Sequence, residues 1–271
     1  MSQEPHKQIM ESAKPPREFS ADNPVLSLAV RHTEGDYFPK HSHDYCQLIC
    51  ADEGLIRITT EFGSWTVPPQ RAVWIPAHTQ HDVLAVGAAE MRTVCVIPDA
   101  AAWLSDTCMV VELSNLLRAL INELARIELG YLPDSESARL VAVLLDQLDF
   151  KPLSALHLPL PTDKRIQCIV DALLADPSDR RTLNEWAQVA GGSSRTLSRL
   201  FQKETGMSFR DWRLQLHMHE ALAKLANKER VTEIAFDLGY NSPSAFIAIF
   251  GKTMGQSPSQ YMREQKREAR K

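Results

Sequence analysis

The pattern of hydrophobic and polar residues divides the chain into three stretches. From about residue 25 to residue 98, short apolar runs such as QLIC, LIRITT and RTVCVI alternate with turns that contain Gly and Pro. Short runs at such spacing predict an all-β barrel or sandwich. From about residue 110 to residue 150, apolar residues recur at the i, i+3, i+4 spacing of helices, and a second helix is expected to begin near Ser135. Beyond residue 163 the pattern is helical throughout.

These stretches predict an α+β protein of several domains, which fits a length of 271 residues. The N-terminal stretch is polar and contains prolines, which is typical of a disordered tail. A second group of prolines, in KPLSALHLPLPTD, predicts a linker. The predicted organisation is a disordered tail at 1–24, a β-barrel at 25–100, a helical segment at 101–151, a linker at 152–163 and an all-α domain at 164–271.

A weak internal repeat occupies the C-terminal domain. Residues 183–206 read LNEWAQVAGGSSRTLSRLFQKETG, and residues 231–255 read VTEIAFDLGYNSPSAFIAIFGKTMG. Each copy predicts a helix-turn-helix, the unit that places its second helix in the DNA major groove. The helix predicted between the copies, of some 18 residues, spans roughly 27 Å and can hold the two recognition helices near one turn of DNA apart.

In the first copy, the polar side of the recognition helix carries two arginines. Leu197, Leu200 and Phe201 follow the spacing of a buried face, and a serine at 193 or 194 is expected to cap the helix. An arginine on the outward side of such a helix can form two hydrogen bonds with a guanine edge. The candidate DNA-binding residues of this copy are Ser194, Arg195, Ser198 and Arg199.

In the second copy, the outward side of the recognition helix has neither arginine nor glutamine. Phe246, Ile249 and Phe250 are expected to be buried, and Ser242 is the expected cap. We expect this helix to form few hydrogen bonds with bases, to contact thymine methyl groups and to hold phosphates. Its candidate DNA-binding residues are Ser244, Ile247, Ala248 and Lys252.

Charge is divided unevenly along the chain. Residues 162–271 contain 18 Lys and Arg against 13 Asp and Glu, a net charge of +5, whereas residues 1–161 have a net charge of −9. A basic segment that coincides with the repeat is expected where one domain meets phosphates. The five cysteines show no C-x-x-C pattern, and no signal peptide or membrane span is evident, so we expect reduced thiols and a location in the cytosol.

The C-terminal segment AFDLGYNSPSAFIAIFGKTMGQSPSQYMR resembles the signature of the AraC/XylS family of bacterial transcription regulators. The resemblance covers about residues 165–265 and extends to the first copy. It implies a seven-helix domain in which both recognition helices enter a major groove. By position it places base contacts on Arg195, Ser198, Arg199, Ser244, Ile247 and Ala248, and Ala248 departs from the polar or basic residue that is frequent there.

The N-terminal stretch resembles a cupin. GDYFPKHSHDYCQLICADEG has the spacing of the first cupin motif, with His41, His43 and Gln47 at the ligand positions. In WIPAHTQH, His81 stands where the second motif has its histidine, while His78 replaces the usual glycine and Ala85 the usual asparagine. The resemblance implies a cupin-type sensor barrel, which many AraC-type regulators carry.

Three interpretations of the histidines stay open. His41, His43, His81 and the Gln47 amide oxygen can bind a divalent metal such as Zn, Ni or Fe. Alternatively the same side chains form hydrogen bonds with a small effector, or they are satisfied core residues without a ligand.

The combined expectation is a cytosolic transcription regulator that is not an enzyme. It would bind double-stranded promoter DNA, respond to a metal or small-molecule effector, and form a homodimer through the helical pair, as that region does in many family members. RNA polymerase is a further candidate partner, and no membrane contact is expected. The rival hypotheses are a cupin oxygenase or isomerase that uses His41, His43 and His81, and an architectural DNA-binding protein with an inactive barrel.

Overall fold

The computed structural model describes residues 8–9, 20–69, 71–127, 130–149 and 156–268. Contacts divide the chain into two compact units, one formed by residues 1–60 and 65–154 and the other by residues 61–64 and 155–271. The first unit is rich in β-sheet and the second is helical, so the predicted α+β class is confirmed. None of the described helices is long and apolar enough to cross a bilayer.

The first unit is built around two long strands that pair with each other. The strands are β1 (Gln8–Ile9), β2 (Val25–His32), β3 (Asp36–His41), β4 (Cys46–Thr60), β5 (Gly63–Val67), β6 (Arg71–Ile75), β7 (His81–Val96) and β8 (Met109–Glu112). β4 runs antiparallel to β7 along almost its whole length, with irregularities between Ala51 and Leu55. The other side of β7 pairs with β3 near its beginning and with β2 near its end.

Two helices cover part of this sheet. They are α1 (Asn115–Leu124) and α2 (Glu136–Asp146), and the side chains of Ser114 and Ser135 cap them. Their apolar sides pack with the sheet in one core, which includes Leu48, Trp74, Val94, Leu117, Ile121 and Leu144. The second helix begins at the position that the sequence predicts.

Three details of the first unit differ from the sequence-based expectations. Residues 109–112, expected to open the first helix, form β8, because their backbone pairs with β6 as a further strand. The sheet therefore continues past residue 100. Within the predicted disordered tail 1–24, Gln8–Ile9 forms β1 and pairs with Asp36–Tyr37 of β3, and most of the remaining tail lies outside the described residues.

The second unit contains a short strand and seven described helices. They are β9 (His157–Pro159), α3 (Lys164–Ala175), α4 (Leu183–Ala190), α5 (Ser194–Thr205), α6 (Phe209–Ala226), α7 (Val231–Asp237), α8 (Pro243–Met254) and α9 (Pro258–Glu268). β9 lies inside the predicted linker 152–163, whose residues 152–155 are outside the described ranges. This part of the segment is held by hydrogen bonds to α6: Trp212 Nε1 donates to Pro159 O at 2.8 Å, and Gln215 Nε2 to His157 O at 2.9 Å.

Both helix-turn-helix units form as expected. In the first, Thr182 and Glu185 form a reciprocal capping box at the start of α4, and Gly191 ends that helix with a φ of 75°. In the second, Gly239 has a φ of 77°, and a Cβ placed on it would lie 2.8 Å from Ser178 O. Only glycine meets both requirements at this turn, since other residues rarely adopt that backbone conformation.

Candidate DNA-binding and ligand-binding sites

One side of α5 is buried and the other presents the predicted DNA-binding side chains. Leu197, Leu200 and Phe201 are buried in the core of the unit. Arg195, Ser198 and Arg199 are exposed and Ser194 is half-buried. Ser193 is the cap, because its hydroxyl accepts a hydrogen bond from Thr196 N at 3.1 Å. Ser194 is therefore the first residue of the helix.

The two arginines of α5 differ from most arginines of the second unit. Arg165, Arg181 and Arg180 bond Asp163, Asp179 and Asn241, with distances between 2.5 and 2.8 Å. In the described part of the chain, Arg195 and Arg199 have no ion pair and no hydrogen-bond partner for their side chains, as is also true of Arg210 on α6. An unpaired guanidinium retains all five donors for an external acceptor.

The outward side of α8 has a different chemistry. Its predicted contact residues, Ser244, Ile247, Ala248 and Lys252, are all exposed, while Phe246 and Phe250 are fully buried. Ile247 is 39% exposed and places an apolar surface on this side of the helix. The Ser242 hydroxyl caps α8 by accepting from Ala245 N at 3.2 Å.

A hydrogen bond that the sequence did not reveal positions the start of α8. Arg180, in the connection between α3 and α4, donates through a guanidinium nitrogen to the side-chain oxygen of Asn241 at 2.8 Å. The two residues are 61 positions apart, so no local pattern indicates the contact. This bond fixes the turn from which the second recognition helix emerges.

Three histidines converge in the first unit. One ring nitrogen from each of His41, His43 and His81 lies within 4.8 Å of the others. His41 stands opposite His81 in the antiparallel pairing of β3 and β7, and their ring centroids are 4.5 Å apart. Strand register therefore brings His41 and His81 together, and His43 lies in the connection between β3 and β4.

Hydrogen bonds orient two of these rings. Nδ1 of His41 lies 2.6 Å from Pro39 O, and Nδ1 of His81 lies 2.9 Å from Thr79 O. Because a carbonyl only accepts, Nδ1 carries the proton in each ring and Nε2 keeps a free lone pair. His81 is 1% exposed, and its Nε2 has no hydrogen-bond partner in the described structure.

Two of the three rings favour the neutral form. Burial, together with the neighbouring His41, lowers the pKa of His43 to about 4. Burial likewise lowers the pKa of His81 to about 4, although the hydrogen bond to Thr79 opposes this shift. A neutral imidazole is the form that binds metals and accepts hydrogen bonds, so His43 and His81 are in their ligand-binding form at neutral pH.

Gln47, the remaining predicted ligand, is buried and lies opposite Cys95 in the pairing of β4 with β7. Its side chain forms a hydrogen bond with Cys95, and its Oε1 atom has no partner among the described residues. Tyr45, which the sequence analysis missed, stacks on His43 with ring centroids 4.5 Å apart. Residues 44 and 45 form a bend before β4, so the alternation of side chains along a strand does not indicate this contact.

His78 supports the comparison with the second cupin motif. It stands where that motif has glycine, and it adopts a φ of 64°, a conformation that glycine adopts readily. Its backbone N–H donates to His43 O at 2.6 Å. The loop between β6 and β7 is thereby bonded to the segment that carries two of the three histidines.

The two units together define a transcription regulator that has a ligand-binding domain and a helix-turn-helix domain. Residues 23–148 match the family model described as an AraC-like ligand binding domain, and residues 186–264 match the one described as a helix-turn-helix domain. The chain belongs to the AraC-type family of helix-turn-helix transcriptional regulators. Its similarity to regulators also supports the expectation that it is not an enzyme.

Several relatives share most of the chain. The HTH-type transcriptional regulator NimR of Escherichia coli strain K12 is 38% identical over 83% of this chain and 82% of its own length. The HTH-type transcriptional activator RhaR of Klebsiella pneumoniae is 22% identical over 90% of this chain and 93% of its own. Among solved structures, ToxT from Vibrio cholerae aligns with 88% of this chain and 98% of that chain at 11% identity and a TM-score of 0.38.

Proposed function

We propose that this regulator binds promoter DNA by placing α5 and α8 in successive major grooves. The observation that carries the assignment is the pair of unpaired, exposed arginines on α5. Arg195 and Arg199 contact base edges, and Ser198 lies beside them. On α8, Ser244, Ile247 and Ala248 face the bases, and Lys252 holds a phosphate. Ser194, at the start of α5, also contacts the phosphate backbone.

Replacing Arg199 tests this assignment. Removing an arginine that forms two hydrogen bonds with a guanine costs about 1–3 kcal/mol of specific binding and relaxes base preference at that position. Arg126→Ala is the matched control, since Arg126 is exposed on the first unit and pairs with Glu123 of its own helix. Fluorescence anisotropy on a selected duplex should show a loss for Arg199→Ala alone. Equal affinities for both variants and the parent chain would overturn the assignment.

We infer that the histidine cluster binds a divalent transition metal. The donor set fits: His41, His43 and His81 converge, and burial holds two of them neutral. The unpartnered Nε2 of buried His81 is an acceptor that lacks a donor, as expected for a metal ligand. The Oε1 atom of Gln47 is the candidate fourth donor. When bound, Zn, Ni or Fe would act as a Lewis acid that can take a donor atom of an effector.

Elemental analysis of the full-length chain tests the metal. After incubation with Zn, Ni or Fe salts and gel filtration, we expect about one ion per chain, and much less for His81→Ala. His78→Asn is the control, because His78 is exposed in the same loop and asparagine tolerates a positive φ. If the parent chain retains no metal, the metal assignment fails, and the cluster is left as a hydrogen-bonding pocket for an effector.

We also propose that the regulator acts in the cytosol as a homodimer and contacts RNA polymerase at the promoter. The helical pair supports the dimer, because Leu116 of α1 and Val143 of α2 are exposed apolar side chains on its outer sides. Sedimentation equilibrium should give a dimer for the parent chain and a shift toward monomer for Leu116→Glu. A monomeric parent chain at micromolar concentration would contradict this part of the proposal.

A further inference from the structure

The two recognition helices have the same backbone design. Each has 12 residues, a serine cap at its beginning, and a glycine with a φ of 70° or 77° at its end. An offset of 49 residues places Ser193 on Ser242 and Gly206 on Gly255. Any contact made by a side chain of α5 therefore has a counterpart at the matching position of α8.

The side chains at the matching positions have opposite chemistry. The same offset places Arg195 on Ser244, Ser198 on Ile247 and Arg199 on Ala248. All six residues are exposed. Both guanidinium groups and one hydroxyl of α5 are thus replaced by one hydroxyl and two apolar side chains.

One exposed position carries the same side chain in both helices. Lys203 of α5 corresponds to Lys252 of α8, and both are exposed in the last turn. A phosphate carries the same charge at every base pair, so a lysine suits both grooves. The charge that holds the backbone is retained, and the groups that read bases have changed.

An exposed isoleucine on a helix that enters a major groove has one apolar surface to meet there. Among the groups that the four bases present in this groove, the C5 methyl of thymine is the apolar one. Ala248, the next residue of α8, is short enough to let the helix approach such a methyl group closely. The arginines of α5, by contrast, fit the two acceptors of guanine.

We propose that the chain reads an asymmetric operator, in which α5 requires guanine in one half-site and α8 requires thymine methyl groups in the other, about one helical turn away. This inference rests on the proposed function, because it assumes that both helices occupy major grooves. Ile247 and Ala248 are then the residues that determine specificity in the second half-site.

Base analogues test the two half-sites separately. The full-length chain first selects duplexes from a random-sequence pool, and each selected half-site is then modified. Replacing thymine by deoxyuridine removes only the methyl group, and we expect about a threefold to fivefold weaker binding for each contacted thymine. Replacing guanine by 7-deazaguanine removes one acceptor, and we expect about a fivefold or greater loss in the other half-site.

Variants assign each loss to a helix. In Ile247→Ala the deoxyuridine penalty should shrink toward onefold while the deazaguanine penalty remains. In Arg199→Ala the deazaguanine penalty should shrink toward onefold while the deoxyuridine penalty remains. Val189→Ala is the matched control: Val189 is an exposed apolar residue of α4, 56% exposed, and its loss should change neither penalty.

The outcomes separate this inference from the proposed function. If the chain selects no sequence, both fail. If it selects a duplex but deoxyuridine has no effect, or its effect persists in Ile247→Ala, the inference fails while the proposed function stands. If Ile247→Ala lowers transcription without changing DNA affinity, a protein partner covers this side of α8 and the inference is overturned.

Discussion

At the scale of single residues, a hydrogen bond from Trp212 holds the beginning of the second unit. Trp212 is fully buried, and its indole N–H donates to Pro159 O. Trp212→Phe keeps most of the apolar surface but leaves that carbonyl without its donor. We expect the free energy of unfolding of this unit to fall by about 1–3 kcal/mol. Chemical denaturation followed by far-ultraviolet circular dichroism measures the change.

The control for this variant is Trp103→Phe, the same substitution at a side chain that is 61% exposed in the first unit. It should leave the free energy of unfolding of the second unit unchanged. A Trp212→Phe chain as stable as this control would contradict the importance given to the indole hydrogen bond.

His217 makes the second unit sensitive to pH. Its Nε2 lies 3.1 Å from Pro177 O and its Nδ1 lies 3.1 Å from the Tyr240 hydroxyl, and burial lowers its pKa from 6.5 to about 4. Below pH 6.5 the unfolded chain binds a proton that the folded chain does not bind. The free energy of unfolding therefore decreases as the pH is lowered. We expect His217 to cost about 2 kcal/mol of unfolding free energy between pH 7 and pH 5.

The measurement is the difference between the parent chain and His217→Gln at both pH values. Glutamine supplies an NH2 group as donor and a carbonyl oxygen as acceptor but does not titrate in this range. The variant should therefore lose less stability on acidification. Parallel losses in the two proteins would show that the charge on His217 does not couple to folding.

The sequence predicted residue positions well where a local pattern determines them. Spacing of three and four residues was enough to place Arg195 and Arg199 on the exposed side of α5. The resemblance to the cupin motifs predicted that His41 and His81 lie close together, as they do in the structure. The bond from Arg180 to Asn241 and that from Gln47 to Cys95 were not predictable, because each joins residues far apart in the chain.

At the scale of elements, a capping box determines where the first support helix begins. Thr182 and Glu185 satisfy two backbone N–H groups at the start of α4. Thr182→Ala should lower the unfolding free energy of the second unit by about 1 kcal/mol. Thr232→Ala, at an exposed position of α7, is the matched control and should have little effect. Equal stability of the two variants in urea denaturation would contradict the contribution of the capping box.

Element boundaries show where sequence patterns become ambiguous. The run MVVE at 109–112 precedes a helix, and its apolar residues also suit the helical period. Its pairing with Arg71–Trp74 decides for a strand, and that partner lies almost 40 residues earlier. By contrast, Ser135 and Ser242 marked helix starts correctly, because a cap acts on backbone groups only three residues away.

At the scale of the whole molecule, the chain combines a ligand-binding domain and a DNA-binding domain of one regulator family. The charge division anticipated this arrangement, since the helical unit is basic and the sheet-rich one is acidic. The composition alone could not specify the base preference, because net charge indicates only contacts with phosphates, which are the same for every sequence. We propose that the side chains of α5 and α8 supply the sequence-specific part.

We propose that one chain reads two major grooves through α5 and α8, which the 18-residue helix α6 joins within one unit. The most direct test is to insert half a helical turn, about 5 base pairs, between the half-sites of a selected duplex. Because α6 has a fixed length, we expect affinity to fall more than about tenfold, to that of a duplex with the guanine half-site alone. Unchanged affinity on the inserted duplex would contradict the account.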